Sequence, residues 1–173
     1  ILSFELLVGQ RAFIIDPGSY VYTGNYRDRN MYRGTAAHNT IQIDRHEINR
    51  IPEKDMFRMN NDASVTIHEW DSDGNRTWFD AEYVSPVSVV KKLYHRRKFE
   101  YFHDLDYWLI SDSAGYVGGD EDELSNITMY FHFNHLCIEL DGLVARTCFQ
   151  DGPNLAVLPL YDDVVGDRHT GID

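Results

Sequence analysis

The residues best suited to chemistry fall between Asp16 and Asp44, in the stretch DPGSYVYTGNYRDRNMYRGTAAHNTIQID. Asp16 stands before the turn pair Pro17-Gly18, and His38-Asn39 stands ahead of an alternating segment, Thr40 to Asp44. An aspartate so placed can simply bond turn N–H groups, and a histidine at a strand entrance is usually structural. Between them lie Arg27, Arg29 and Arg33, with Tyr20, Tyr22, Tyr26 and Tyr32. Guanidinium groups clamp carboxylates and sulfates, and tyrosine rings stack on sugars. On composition alone, that suits an acidic sugar about as well as a solvated loop with local ion pairs.

The elements that must position these residues read as strands. Apolar residues recur with period two or in short runs broken by turn signals, which is the pattern of an all-β layered antiparallel sandwich. Phe4 to Val8 and Ala12 to Asp16 flank Gly9-Gln10, a type II′ hairpin signal. Ser64 to Trp70 and Arg76 to Val84 flank Asp71-Ser72-Asp73-Gly74-Asn75. Val87 to Tyr94, Arg97 to Phe102 and Tyr107 to Asp112 form a predicted meander, continued by Ile127 to Asn134, Cys137 to Leu140, Leu143 to Phe149 and Leu155 to Leu160. Tyr20 to Ala37 carries no core stripe and reads as a long polar loop, a feature that is uncommon unless functional. Asp141-Gly142 is read as the centre of a two-residue turn, placing Cys137 opposite Arg146 and Cys148 a diagonal step away. Two small core hydrophobes are the favoured reading of these cysteines, with a disulfide as the alternative.

The bulk properties narrow the function classes. The chain has 173 residues, enough for one domain with a sizeable core, and a formal net charge of −12. No basic footprint for nucleic acid dominates. No apolar run approaches the ~18–20 residues that span a membrane. The acidic stretch from Asp104 to Glu123 reads as a solvated loop, and Lys91 to Lys98 as a strand with a charged solvent face. Nucleophile elbow, zinc-protease, phosphate-loop and dinucleotide motifs are all absent.

Several blocks resemble the heparinase II/III-like polysaccharide lyases, relatives of the alginate and oligoalginate lyases. They are Leu2-Ser3-Phe4-Glu5-Leu6 with Val8-Gly9; Ile15-Asp16-Pro17-Gly18-Ser19-Tyr20 with Tyr22; Tyr32-Arg33-Gly34-Thr35-Ala36-Ala37-His38-Asn39-Thr40 with Ile43-Asp44; and, less closely, Arg96-Arg97 and Asp106 to Asp112. The family often has Ser at the position of Gly34.

The resemblance implies a supersandwich-like β domain, residues 1–173, cut from an α/α-toroid plus β-sheet enzyme, with the active site between the two parts. It implies a structural zinc held by two His and one Asp. Asp16 and His38 would take two of those positions, and the third would be a His in a segment preceding Ile1. It further implies a bacterial, periplasmic or secreted setting and an acidic polysaccharide substrate, either a heparin- or heparan-type glycosaminoglycan or alginate. The toroid would be the domain's partner, the catalytic residues would lie outside this chain, and the isolated domain would be inactive. Tyr22, Arg33 and Asn39 are the expected substrate contacts. Exposed strand edges would allow a homo-oligomer.

Three rivals share the pattern. They are a non-catalytic carbohydrate-binding sandwich, a metal-dependent β-barrel using Asp16, His38, His46 and His68, and a sheet domain without a ligand.

Overall fold

A computed structural model describes residues 1–19, 21, 23–55, 57–118, 126–134 and 137–160. Tyr20, Tyr22, the acidic positions 120–123 and the stretch after residue 160 lie outside the described residues. Among the described residues every paired strand is antiparallel, and the architecture is all-β.

The largest layer is a meander in the order β4-β5-β6-β7: β4 Ser64–Ser72, β5 Arg76–Pro86, β6 Lys92–Phe102 and β7 Tyr107–Tyr116. The turn between β4 and β5 forms where Asp73 Oδ1 accepts from the N–H groups of Asn75 and Arg76. The expected break between Tyr94 and Arg97 is absent. β6 runs straight through His95 and Arg96, because alternation sends each charge to a face where it is paired.

On the outer face Arg96 makes a two-pronged contact with Asp80, at 2.8 and 2.6 Å, and Glu100 receives both Arg76 and Lys98. On the inner face Leu93, His95 and Arg97 alternate inward beside Tyr83 and Ala81. Asp112 of β7 joins them, so the acidic run is not uniformly solvated, nor is the basic run all solvent-facing.

Smaller sheets lie against that inner face. β3 (Ile41–Ile43) pairs with β8 (Ile127–Met129), and β1 (Leu6–Val8) pairs with β2 (Arg11–Ile14) across Gly9-Gln10. Gly9 has φ +62°, which the expected turn needs at its first central residue. The chain after β8 crosses from β3 to β2: Tyr130 N donates to Thr40 O, and Phe133 bridges Ile14. Ile41, Ile43, Ile48, Ala63, Tyr83, Leu93 and Tyr116 form the core between the layers. Each large apolar side chain so buried contributes about 1.5–3 kcal/mol.

A fourth sheet has the order β11-β10-β9, with β9 Ile138–Asp141, β10 Val144–Thr147 and β11 Ala156–Val157. Its hairpin differs by one residue from the expected register. Asp141 pairs with Val144, so the turn is Gly142-Leu143, with Gly142 at φ +60°.

One helix corrects the reading of the polar loop. α1, Tyr26–Arg33, is capped by Asn25, whose side chain accepts from Arg27 N and Asp28 N. It buries none of its residues, which is why no apolar stripe announced it. Among the described residues, no helix is long and apolar enough to cross a membrane.

Candidate functional site

Asp16 and His38 arrive from different elements and meet. Asp16 follows β2, and its Oδ1 accepts from Gly18 N at 2.9 Å in a turn that Gly18 closes at φ +66°. Its other oxygen, Oδ2, lies 2.5 Å from His38 Nδ1. His38 ends a 3₁₀ turn, Thr35–Ala37, and donates its N–H to Thr35 O. Glu47 fixes that turn by accepting from both Thr35 N and Thr35 Oγ1, at 2.6 and 2.7 Å. His132 Nε2 adds a contact to Ala36 O at 3.0 Å.

Both site side chains remain reachable, at 29% exposure for Asp16 and 27% for His38. A carboxylate only accepts, so with His38 neutral its Nδ1 carries the proton and its Nε2 is the basic nitrogen. Among the described residues that Nε2 has no hydrogen-bond partner.

The next residue is placed otherwise than expected. Asn39 is fully buried and is not a surface contact. Its Nδ2 donates to Phe4 O and Ile15 O, each at 2.9 Å, and its Oδ1 accepts from His132 N at 2.6 Å. Its backbone N–H reaches Ser3 Oγ. One carboxamide therefore ties together the chain before β1, the end of β2, the His38 turn and the segment after β8.

Beneath it lies a group that sequence reasoning did not single out. Arg97 is fully buried, and its Nη1 donates to Asn39 O at 2.7 Å and to Leu2 O at 2.8 Å. Its Nε and Nη2 clasp Asp112, and Asp112 Oδ1 also meets His95 Nε2 at 2.6 Å. Burial alone would raise the Asp112 carboxyl, but His95 and Arg97 outweigh it and hold the carboxyl below its usual range. Burial pushes the His95 imidazole down, against the pull of Asp112. As a neutral ring, His95 donates from Nε2 and leaves Nδ1 buried without a partner. The signal was present: Leu93, His95, Arg97 and Phe99 share one face of β6, so an arginine stood in an inward register.

Arg33 is likewise committed. Its guanidinium donates to the carbonyls of Pro52, Asp55 and Arg58 and to Asn30 Oδ1, bolting α1 to the loop between β3 and β4. Burial, then the neighbouring Arg29, lowers its pKa. That placement leaves little of Arg33 for a ligand. Tyr22 lies outside the described residues.

A tetrahedral zinc with bonds of about 2.0–2.1 Å keeps its donors about 3.3 Å apart. Asp16 Oδ2 and His38 Nδ1 stand in a hydrogen bond shorter than that, so those two atoms would have to separate by about 0.8 Å to share an ion. They supply two donors of the four that a closed structural site needs. Among the described residues, no group of three or more His, Cys, Asp or Glu stands close enough to hold a metal. His46 and His68 therefore do not join Asp16 and His38 in a cluster.

The fold and site define an all-β domain presenting a carboxylate–imidazole pair on a buried polar scaffold. The family model described as "Heparinase II/III-like, C-terminal" matches residues 1–161, and the chain belongs to that family, a family of polysaccharide lyases. No curated protein and no solved structure matches the chain.

Proposed function

We propose that this domain forms one wall of the cleft of a polysaccharide lyase that cleaves a uronate-containing polymer, of heparin, heparan sulfate or alginate type, by β-elimination. The observation that supports this reading best is the half-buried, solvent-reachable Asp16–His38 pair, held on a scaffold of Asn39 and Arg97. In such an elimination a base removes the proton beside the uronate carboxylate, and the 4-linked oxygen leaves with help from an acid. The developing anion needs a cationic or hydrogen-bonding neighbour. The proton-transfer groups come from a toroid domain in the intact protein, and this domain supplies the floor.

Asp16 and His38 would hold a structural zinc there together with a histidine from outside this chain, and the ion would supply a fixed cross-link. Asn39 acts beneath the floor rather than on the polymer. Tyr22 remains a candidate contact. The exposed side of α1, with Tyr26 and Arg27, offers a ring and a guanidinium to an acidic sugar. A secreted or periplasmic location fits that substrate.

The test is product chemistry. The intact protein is incubated with each polymer and the fragments are weighed. Elimination leaves an unsaturated uronate one water lighter than a hydrolysis product. Hydrated ends would indicate a hydrolase, and binding without fragments would indicate a carbohydrate-binding module.

A further inference from the structure

We propose that Cys137 and Cys148 are a disulfide site that clamps the β9–β10 hairpin. The one-residue shift of the turn is what creates it. With Asp141 opposite Val144, Thr147 stands opposite Ile138, and the next pair outward is Cys148 opposite Cys137. Cys148 N donates to Cys137 O at 3.1 Å, extending the ladder through the pair, and the two sulfurs lie 3.4 Å apart. Opposed residues of an antiparallel ladder have Cα atoms about 5.5 Å apart where the pair is hydrogen-bonded and about 4.5 Å where it is not, both inside the range a disulfide spans. A side-chain rotation then closes the remaining gap of about 1.4 Å to a bonded S–S distance.

The sheet has reason to need such a clamp. Its strands are four, four and two residues long, every residue of β9 is exposed, and only Thr147 of β10 is buried. A ladder of that size is marginal in water. Its ties to the rest of the fold run to β2: Arg11 lies over the Phe149 ring at 3.8 Å and donates to Asp151 O and Pro153 O, and Phe13 meets the same ring edge-on.

The chemistry is thiol–disulfide exchange with an external disulfide, such as oxidised glutathione or a dithiol–disulfide oxidant protein. The thiolate of Cys137, the more exposed of the two, attacks one sulfur of that disulfide and expels a thiolate. Cys148, having lost its proton to solvent, then attacks the Cys137 sulfur and expels the second thiolate. The two cysteines are oxidised, the external disulfide is reduced to two thiols, and the two cysteine protons end on those thiols. Burial and the neighbouring Cys137 sulfur hold the Cys148 thiol up at about 11, so it acts second. Such a bond persists in an oxidising compartment.

The experiment uses the intact protein equilibrated with excess oxidised glutathione, then denatured, alkylated, weighed and peptide-mapped. The expected product is about 2 Da lighter per closed bond than the reduced chain, with a cross-linked peptide pair containing Cys137 and Cys148. Reduction should lower the midpoint of the β domain's unfolding by roughly 5 °C or more in wild type, and not in a Cys137→Ser, Cys148→Ser double variant. Alkylation of both thiols after oxidation, or a lasting glutathione adduct on Cys137, would overturn the site. An unfolding midpoint indifferent to reduction of a formed bond would overturn the clamp.

Discussion

Replacing Asn39 separates a scaffold role from a substrate role. Asn39→Ala removes partners from three backbone groups: Phe4 O, Ile15 O and His132 N. A buried group left unpaired costs about 1–3 kcal/mol, and the partial exposure of Phe4, Ile15 and His132 moderates the sum to about 2–5 kcal/mol. Asn39→Asp keeps the acceptor for His132 N but turns an oxygen toward two carbonyls, so the isosteric change should cost as much. Urea unfolding of the β domain in the intact protein, followed by tryptophan fluorescence, measures the loss. Hydrogen exchange should locate it in residues 1–15, 38–43 and 130–134, the segments tied together around the carboxamide. If both variants unfolded within about 1 kcal/mol of wild type while polysaccharide affinity fell, Asn39 would be a ligand contact and the scaffold reasoning would fail.

Three further outcomes follow from the same network. Asp112→Asn leaves Arg97 a buried charge without its counter-ion and should destabilise the domain by about 3–5 kcal/mol in denaturant titration, whereas a surface-like cost below 1 kcal/mol would contradict the buried pair. His95 and Asp112 both have folded pKa values below their unfolded ones, so the unfolded chain binds more protons as pH falls. Stability should therefore decline below about pH 6.5 through His95 and again below about pH 4 through Asp112. His95→Gln should flatten the first decline, and an unchanged slope would remove His95 as its source. Zinc added to the stripped intact protein should raise its unfolding midpoint in wild type, and this rise should be lost in Asp16→Asn and in His38→Ala. An equal rise in all three would place the ion elsewhere.

The hairpins were legible where turn chemistry was unambiguous: Gly9-Gln10 and the Asp73 turn sit where the alternation ends on both sides. Asp141-Gly142 misled by one position because its glycine serves as the first central residue of a turn that Leu143 completes. β6 was split in the sequence reading because His95, Arg96 and Arg97 interrupt an apolar run. The strand tolerates them because Asp80 and Asp112 receive their charges on opposite faces. α1 stayed hidden for lack of a buried face, though Asn25 and Asp28 mark its start. At the site, the juxtaposition of Asp16 and His38 was expected from resemblance alone, since spacing says nothing of two residues 22 positions apart that meet through Asn39. The placements of Asn39 and Arg33 were hidden in the sequence for a common reason. Polar side chains on a polar stretch look free in sequence, but backbone carbonyls from distant segments claim them in the fold.

The most direct measurement is an ultraviolet assay for new unsaturated uronate, run on the intact protein with heparan sulfate, heparin, alginate and hyaluronan. Wild type and His38→Ala would be compared, with an unfolding midpoint recorded for each. Rising absorbance on a uronate polymer in wild type, lost or strongly reduced in His38→Ala, is the predicted result. A flat trace on every polymer from well-folded wild-type protein would contradict the lyase account.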